Sequence, residues 1–197
     1  MFFKRIFDLI FSIVVLTLAF PILIIISICI KIFQGGPVLF TQIRVGKNHR
    51  VFKIFKFCTM SNKKSTEGAL LPDIERISKT GFFLRKTSLD ELPGFLNVLI
   101  GQMSVVGPRP LPEIYLTRYS KDQKRRHNVK SGVTGWAQIN GRNSISWNEK
   151  FKLDLWYVDN QSFLLDLKII FLTIFKVLKT ENITPKNKDS MDEFLGN

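Results

Sequence analysis

From Leu9 to Ile30 the chain carries no charged residue and is rich in Ile, Leu, Val and Phe. At about 1.5 Å of rise per residue, such a segment is nominally long enough to cross the hydrocarbon core of a bilayer. Its flanks restrict how it can sit there. Lys4 and Arg5 precede it. Lys31, Arg44, Lys47, Arg50, Lys53, Lys56, Lys63 and Lys64 follow, with no Asp or Glu between Asp8 and Glu67. Basic residues at both ends pull both ends to the cytoplasmic side. Pro21, near the middle, removes a helical N–H and disfavours a straight span. The expectation is a helix that enters the membrane, breaks at Pro21 and returns, with Lys4, Arg5 and Pro21 as its anchoring residues. A secretory signal is excluded, because the apolar run is too long and no small-residue cleavage site follows. Asp8 reads as an interfacial acid complementing the helix dipole.

The whole chain bears a formal charge of +13 with 45% hydrophobic residues, so an anionic membrane surface explains more than nucleic acid does. A phospholipid membrane is therefore the expected partner, and nucleic acid is not. Cys29 and Cys58 are too few for a disulfide scaffold, and the isolated His49 and His127 do not suggest a His/Cys metal site. A length of 197 residues suits one sizeable core. The expected division is 1–35 as the membrane helix, 36–180 as a cytoplasmic domain and 181–197 as a loose tail.

Past the Gly35-Gly36-Pro37 break, Val38–Ile43 and Val51–Phe57 read as a hairpin around Gly46-Lys47-Asn48-His49. Ile74–Lys86, Leu111–Arg126 and Trp147–Asn160 read as helices, and Lys130–Arg142 as Gly-rich and irregular. Phe163–Lys179 places Leu164, Leu167, Phe171, Ile174 and Leu178 on one side, but it is too charged to span. It reads as a core helix or one lying on the membrane surface. The fold class expected is α+β and mainly helical, with a re-entrant membrane helix, a small β-hairpin and a helical catalytic domain with interfacial helices.

Two adjacent acids, Asp90 and Glu91, follow Ser88 in a capping-box pattern, so both have an ordinary reading as first-turn residues of a helix. Their surroundings add chemistry. Arg85 precedes them, and Arg109 and Arg142 lie in the Gly/Pro-rich runs Gly107-Pro108-Arg109-Pro110 and Gly141-Arg142-Asn143. Arginines held in stiff loops suit bidentate recognition of phosphate oxygens.

The run Arg85-Lys86-Thr87-Ser88-Leu89-Asp90-Glu91-Leu92-Pro93, with Asn97-Val98-Leu99, Gly107-Pro108-Arg109-Pro110 and Gly135-Trp136-Ala137-Gln138-Ile139-Asn140-Gly141-Arg142-Asn143, closely resembles the bacterial sugar transferase family. The resemblance is to its small monotopic phosphoglycosyl transferases of the bacillosamine phosphate transferase type. It covers the chain from Lys4-Arg5 to the helix near Lys179. It implies transfer of a sugar 1-phosphate from a UDP-sugar donor to a polyprenyl phosphate acceptor, usually undecaprenyl phosphate, at the cytoplasmic face of the bacterial inner membrane. Asp90 would be the nucleophile, forming a covalent phosphosugar with release of UMP, and Glu91 would assist proton removal. Mg²⁺ would sit at Asp90, and Arg85, Arg109, Pro110, Gln138 and Arg142 would bind substrate. Asp90 and Glu91 are compatible with the metal, since Mg²⁺ keeps waters and needs few protein carboxylates. The sequence departs from the family pattern at Phe20, Cys58, Gln102 and Ser131, none of them at Asp90, Glu91 or Arg109. A reading of a different class, a non-catalytic basic protein docked on membranes, leaves the acid pair and the arginine loops unexplained.

Overall fold

The structure, a computed structural model, describes residues 2–141, 144–179 and 193–196. Its first element, α1 (Phe2–Gln34), is a single helix with Pro21 inside it. Helical structure continues through Pro21 rather than stopping there, so the expected break is, in the structure, a proline within one helix. By length and composition α1 can cross a membrane. It presents Ile10, Ile13, Val14, Leu18, Phe20, Ile22 and Ile25 outward, while Ile26 and Ile30 are buried.

Both halves of α1 pack on the same domain. Phe11, Val15 and Leu16 lie against the main core, and Leu23, Ile26 and Ile30 against Phe57 and Leu84. Polar contacts fix the N-terminal end. Asp8, 2% exposed, accepts hydrogen bonds from Ser104 Oγ at 2.8 Å and from the Val105 amide at 3.0 Å. Arg5 donates to the carbonyls of Val98 and Leu99 at 2.6 and 2.8 Å, and Lys4 pairs with Asp166. The residues read as an interfacial dipole partner and a membrane flank therefore use their charges inside the protein.

After Gly35, β1 (Leu39–Val45) and β2 (Val51–Phe57) form an antiparallel hairpin in the register Leu39↔Phe57 to Val45↔Val51. Alternation on β2 buries Phe52 and Ile54, and Lys56 falls on that same face. Short helices α2 (Asp73–Arg76) and α3 (Lys79–Thr87) follow, in place of one helix over Ile74–Lys86. The separation arises at Ser78, whose extended backbone and hydroxyl cap a new helix through the Gly81 amide. α4 (Gly94–Leu99) carries Asn97, fully buried. Its amide accepts from Phe55 N at 2.9 Å and donates to Lys53 O and Gln102 Oε1, both at 2.7 Å, fastening α4 to β2.

The region read as irregular holds a strand. β3 (Ser104–Val106) pairs in parallel with β4 (Gly132–Thr134), and α6 (Trp136–Asn140) follows. Leu111–Arg126 is not one helix but a 3-10 turn (Glu113–Thr117), then α5 (Lys121–Lys124) and a second 3-10 turn (Arg125–Asn128). Ser120 accounts for the interruption, since it caps α5 in a full capping box with Gln123. α7 (Trp147–Asn160) and α8 (Phe163–Leu178) match the sequence-based expectation closely. The fold is thus α+β and mainly helical. α8 buries Asp166 and Ile169 but exposes Leu164, Leu167, Phe171, Ile174 and Phe175. Its Phe163 ring meets Phe7 of α1 at 5.3 Å, so the two apolar surfaces adjoin. Within the span expected as a loose tail, the described Phe194 is buried against the domain, at 3% exposure.

Asp8→Ala leaves the Ser104 hydroxyl and Val105 amide without their acceptor in a buried setting. The expected loss is on the order of 2–4 kcal/mol, read as a lower thermal unfolding midpoint in detergent, with Asp8→Asn falling between the two.

Candidate active site

α3 ends at Ser88, which adopts a left-handed backbone (φ 58, ψ 15) and donates its amide to Arg85 O. A side-chain N-cap requires an extended backbone, so the capping-box expectation fails here. Ser88 caps nothing with its side chain, and Glu91 does not reach back to it. The left-handed residue instead turns the chain sharply into a 3-10 turn, Leu89–Glu91, that carries both acids. A non-glycine residue in this conformation is the kind of local strain that functional sites retain.

The two acids have opposite environments. Glu91 is engaged by two cations: Lys56 Nζ lies 2.7 Å from Oε1, while Arg109 reaches Oε1 at 2.6 Å and Oε2 at 3.3 Å. Burial alone would raise its pKa, but Arg109 and Lys56 more than offset it and hold Glu91 below the usual carboxylate range. Asp90 is 9% exposed, and no described side chain hydrogen-bonds to it. Burial first, and then the negative Glu91 beside it, push its carboxyl up to about 6, against a partial pull from Lys56, Arg109 and Arg85. An adjacent pair with such divided environments offers one permanently charged member and one that titrates near neutrality.

A small open cleft lies beside the pair, lined among others by Arg44, Lys56, Glu91, Arg109, Pro110 and Gly132. Three cations against one carboxylate leave it with an excess of positive charge. Burial, and next the neighbouring Arg109, lower Arg44 to about 10. Asp90 does not line this cleft; it lies one residue from Glu91, which does.

The Arg109 loop is clamped from several sides. The Gly107 amide donates to Thr134 O at 2.9 Å and the Gly132 amide to Pro108 O at 3.0 Å. A Cβ on Gly107 would come within 2.2 Å of Lys130 O, and one on Gly135 within 2.2 Å of Gly107 O, so these backbones meet only because both residues are glycine. Arg126, buried and paired with Asp154 at 2.7 Å, donates to the Arg109 carbonyl at 2.7 Å.

Of the residues singled out from sequence, the structure brings Glu91, Arg109 and Pro110 together with Asp90 behind them. Arg85 donates to Thr59 Oγ1 at 2.9 Å and acts on Asp90 only through its field. Gln138, next to Gly135, holds both amide atoms buried with no hydrogen-bond partner among the described residues. Arg142 lies outside the described residues. Arg44 and Lys56 went unrecognised, although a lysine on the inward face of β2 beside Phe52 and Ile54 was a legible signal.

A divalent cation fits a limited donor set. Among the described residues there is no cluster of three or more His, Cys, Asp or Glu. Glu91 is already committed to two cations, so Asp90 is the carboxylate left to offer. That is compatible with Mg²⁺ carrying waters and substrate oxygens.

The model of a family described as bacterial sugar transferase matches residues 1–180. The chain is 50% identical over 193 residues to the uncharacterized sugar transferase EpsL of Bacillus subtilis (strain 168), covering 98% of this chain and 96% of that protein. It is 46% identical to the UDP-glucose:undecaprenyl-phosphate glucose-1-phosphate transferase of Klebsiella pneumoniae, over 89% of this chain and 40% of that protein. It is 35% identical to the UDP-N-acetylgalactosamine-undecaprenyl-phosphate N-acetylgalactosaminephosphotransferase of Aeromonas hydrophila, over 90% of this chain and 44% of that protein. The chain thus spans less than half the length of these two relatives and nearly all of EpsL.

Because the folded state raises the pKa of Asp90, ionising it costs stability. The cost is absent below about pH 4 and complete above about pH 6. Asp90→Asn should therefore stabilise the protein at pH 7.5, by on the order of 1–3 kcal/mol, with the gain vanishing as pH falls through that window; thermal unfolding across pH reads this directly.

Proposed function

The chain belongs to the bacterial sugar transferase family, and from that premise we propose that it is a phosphoglycosyl transferase acting at a membrane. It takes a sugar 1-phosphate from a UDP-sugar, passes it to undecaprenyl phosphate or a similar polyprenyl phosphate, and releases UMP. The observation that carries the reading is the split acid pair beside a cationic cleft: Asp90 desolvated and without a hydrogen-bond partner among the described residues, Glu91 fixed by Lys56 and Arg109.

A carboxylate approaching a diphosphate meets charge repulsion, and the excess positive charge of Arg44, Lys56 and Arg109 lowers that barrier. An Asp90 carboxylate oxygen forms a bond to the sugar-bearing phosphorus, and the bond from that phosphorus to the UMP oxygen breaks. In the second step an oxygen of the lipid phosphate bonds to the same phosphorus, and the Asp90–phosphorus bond breaks, regenerating the carboxylate. Poor solvation makes Asp90 a stronger nucleophile than a hydrated carboxylate. Mg²⁺, held by Asp90 and substrate oxygens, would supply further neutralisation of phosphate charge.

The proton-handling role expected of Glu91 fits its surroundings poorly, because a carboxylate saturated by two cations is a weak base. Its reading here is electrostatic and positional: it holds Arg109 and Lys56 at the cleft and keeps Asp90 difficult to ionise. Gln138 and Arg85 remain proposed substrate contacts, as does Arg142.

The membrane arrangement follows the same logic. Both halves of α1 pack against one domain, which supports both ends lying on one side, the cytoplasmic one, as the basic flanks favour. The exposed apolar rows of α1 and α8 supply the surface that lipid would cover. Relatives named for glucose and N-acetylgalactosamine support a UDP-hexose or N-acetylhexosamine as donor, and the narrower bacillosamine expectation gains no support from them.

With UDP-sugar and no lipid acceptor, the wild type should release one equivalent of UMP and gain a sugar-phosphate mass adduct, while Asp90→Asn should do neither and still fractionate with membranes. UMP release by Asp90→Asn would sink the nucleophile assignment. For topology, cysteines placed near Lys4 and near Gly35 should both be labelled from the cytoplasmic side only; periplasmic labelling of either would show a span.

A further inference from the structure

The last described residues, 193–196, return to the domain and close an aromatic cluster. Phe194 sits among Tyr115, Tyr119, Trp147 and Phe151 with ring centroids 5.6, 5.9, 5.7 and 5.0 Å away. Its amide donates to Tyr115 Oη at 3.2 Å, and Arg118 donates to the Phe194 carbonyl and, at 2.7 Å, to Glu193. A single buried aromatic with both backbone polar groups satisfied is a specific dock, not an incidental contact.

What this cluster touches gives the dock a purpose. Leu111, two residues beyond Arg109, is buried in it, and its carbonyl accepts from the Val45 amide next to Arg44. The guanidinium of Arg126 lies 5.8 Å from the rings of both Tyr119 and Phe151, and it donates to the Arg109 carbonyl. Phe194 thus packs directly on the two rings that flank Arg126, and on the cluster that receives Leu111. The Arg109 loop is held at its carbonyl by one and at its exit by the other.

We propose that the C-terminal segment is an intramolecular strap, with Phe194 a positioning residue that sets the Arg109 loop, and through it donor phosphate binding. This rests on the reading of Arg109 as a donor-phosphate ligand. A strap of this kind acts on donor affinity and leaves the chemistry at Asp90 in place.

The test uses the full chain, Phe194→Ala, Phe194→Leu, and a chain ending at Asp192, each assayed for UMP release. Donor KM should rise about tenfold or more in Phe194→Ala and in the shortened chain, since small misplacements of a binding group weigh heavily, with kcat changed far less and Phe194→Leu intermediate. A peptide of residues 191–197 added to the shortened chain should restore both donor KM and the tryptophan fluorescence contributed by Trp147. Tyr115→Phe, which removes only the hydroxyl accepting from Phe194, gives a milder variant with the same direction of KM change if the larger changes prevent folding. Unchanged donor KM in Phe194→Ala or the shortened chain, or peptide docking seen by fluorescence without recovery of KM, would overturn the strap. If Arg109→Lys leaves donor KM unaltered while the shortened chain still shows a peptide-reversible KM defect, the reading of Arg109 fails and the docking site stands.

Discussion

The carboxylate of Glu91 joins three segments that share no secondary structure. Lys56 comes from the β-hairpin, Arg109 from the loop after β3, and Glu91 from the turn behind the left-handed Ser88. Two cations crowded at one cleft would repel each other and splay the hairpin from the loop; one carboxylate between them makes the crowding tolerable. Partly exposed ion pairs contribute modestly to stability, so the gain here is one of arrangement. The same negative charge keeps its neighbour Asp90 protonated further up the pH scale than burial alone would, and so one residue shapes both the positive cleft and the protonation of the carboxyl beside it.

Rigid backbone contacts set the positions of those charges. Gly107, Gly132 and Gly135 allow carbonyls and amides to approach where any side chain would collide, and the short parallel pair β3–β4 lies between them. Arg126 with Asp154 fixes the Arg109 carbonyl from beneath, and Asn97 ties the helix after the acid turn to the strand that carries Lys56. Buried charged pairs are weak sources of net stability, so what Arg126 and Asp154 contribute here is the position of the loop they hold. Gln102 serves Asn97 as an acceptor.

Sequence showed these features unevenly, for physical reasons. The hairpin, α7 and α8 were legible because their periodicities are long and their caps local. Ser88 was misread because a serine three residues before a glutamate fits a capping box equally well whether its backbone is extended or left-handed. β3 and β4 have three residues each and exist only by pairing across the chain, which no local pattern reports. Leu111–Arg126 has helical spacing, but Ser120 starts a new helix within it. In the site, the arginine loops were recognisable by composition, whereas Lys56 and Arg44 required the register of the hairpin. The lone acid Asp8 ahead of an apolar run and the lone aromatic Phe194 in a polar tail were signals of docking that only the distant partners make plain.

Asp8 reaches Ser104 across 96 residues of chain, and Arg5 reaches Val98 across 93. The helix that lipid would receive therefore also supplies the acceptor and the cap on which the catalytic core closes. During synthesis these side chains emerge long before their partners, so this part of the core closes only after the chain near Val98 and Ser104 has been made. A version trimmed of its apolar helix would lose the first part of its own core, not merely its address.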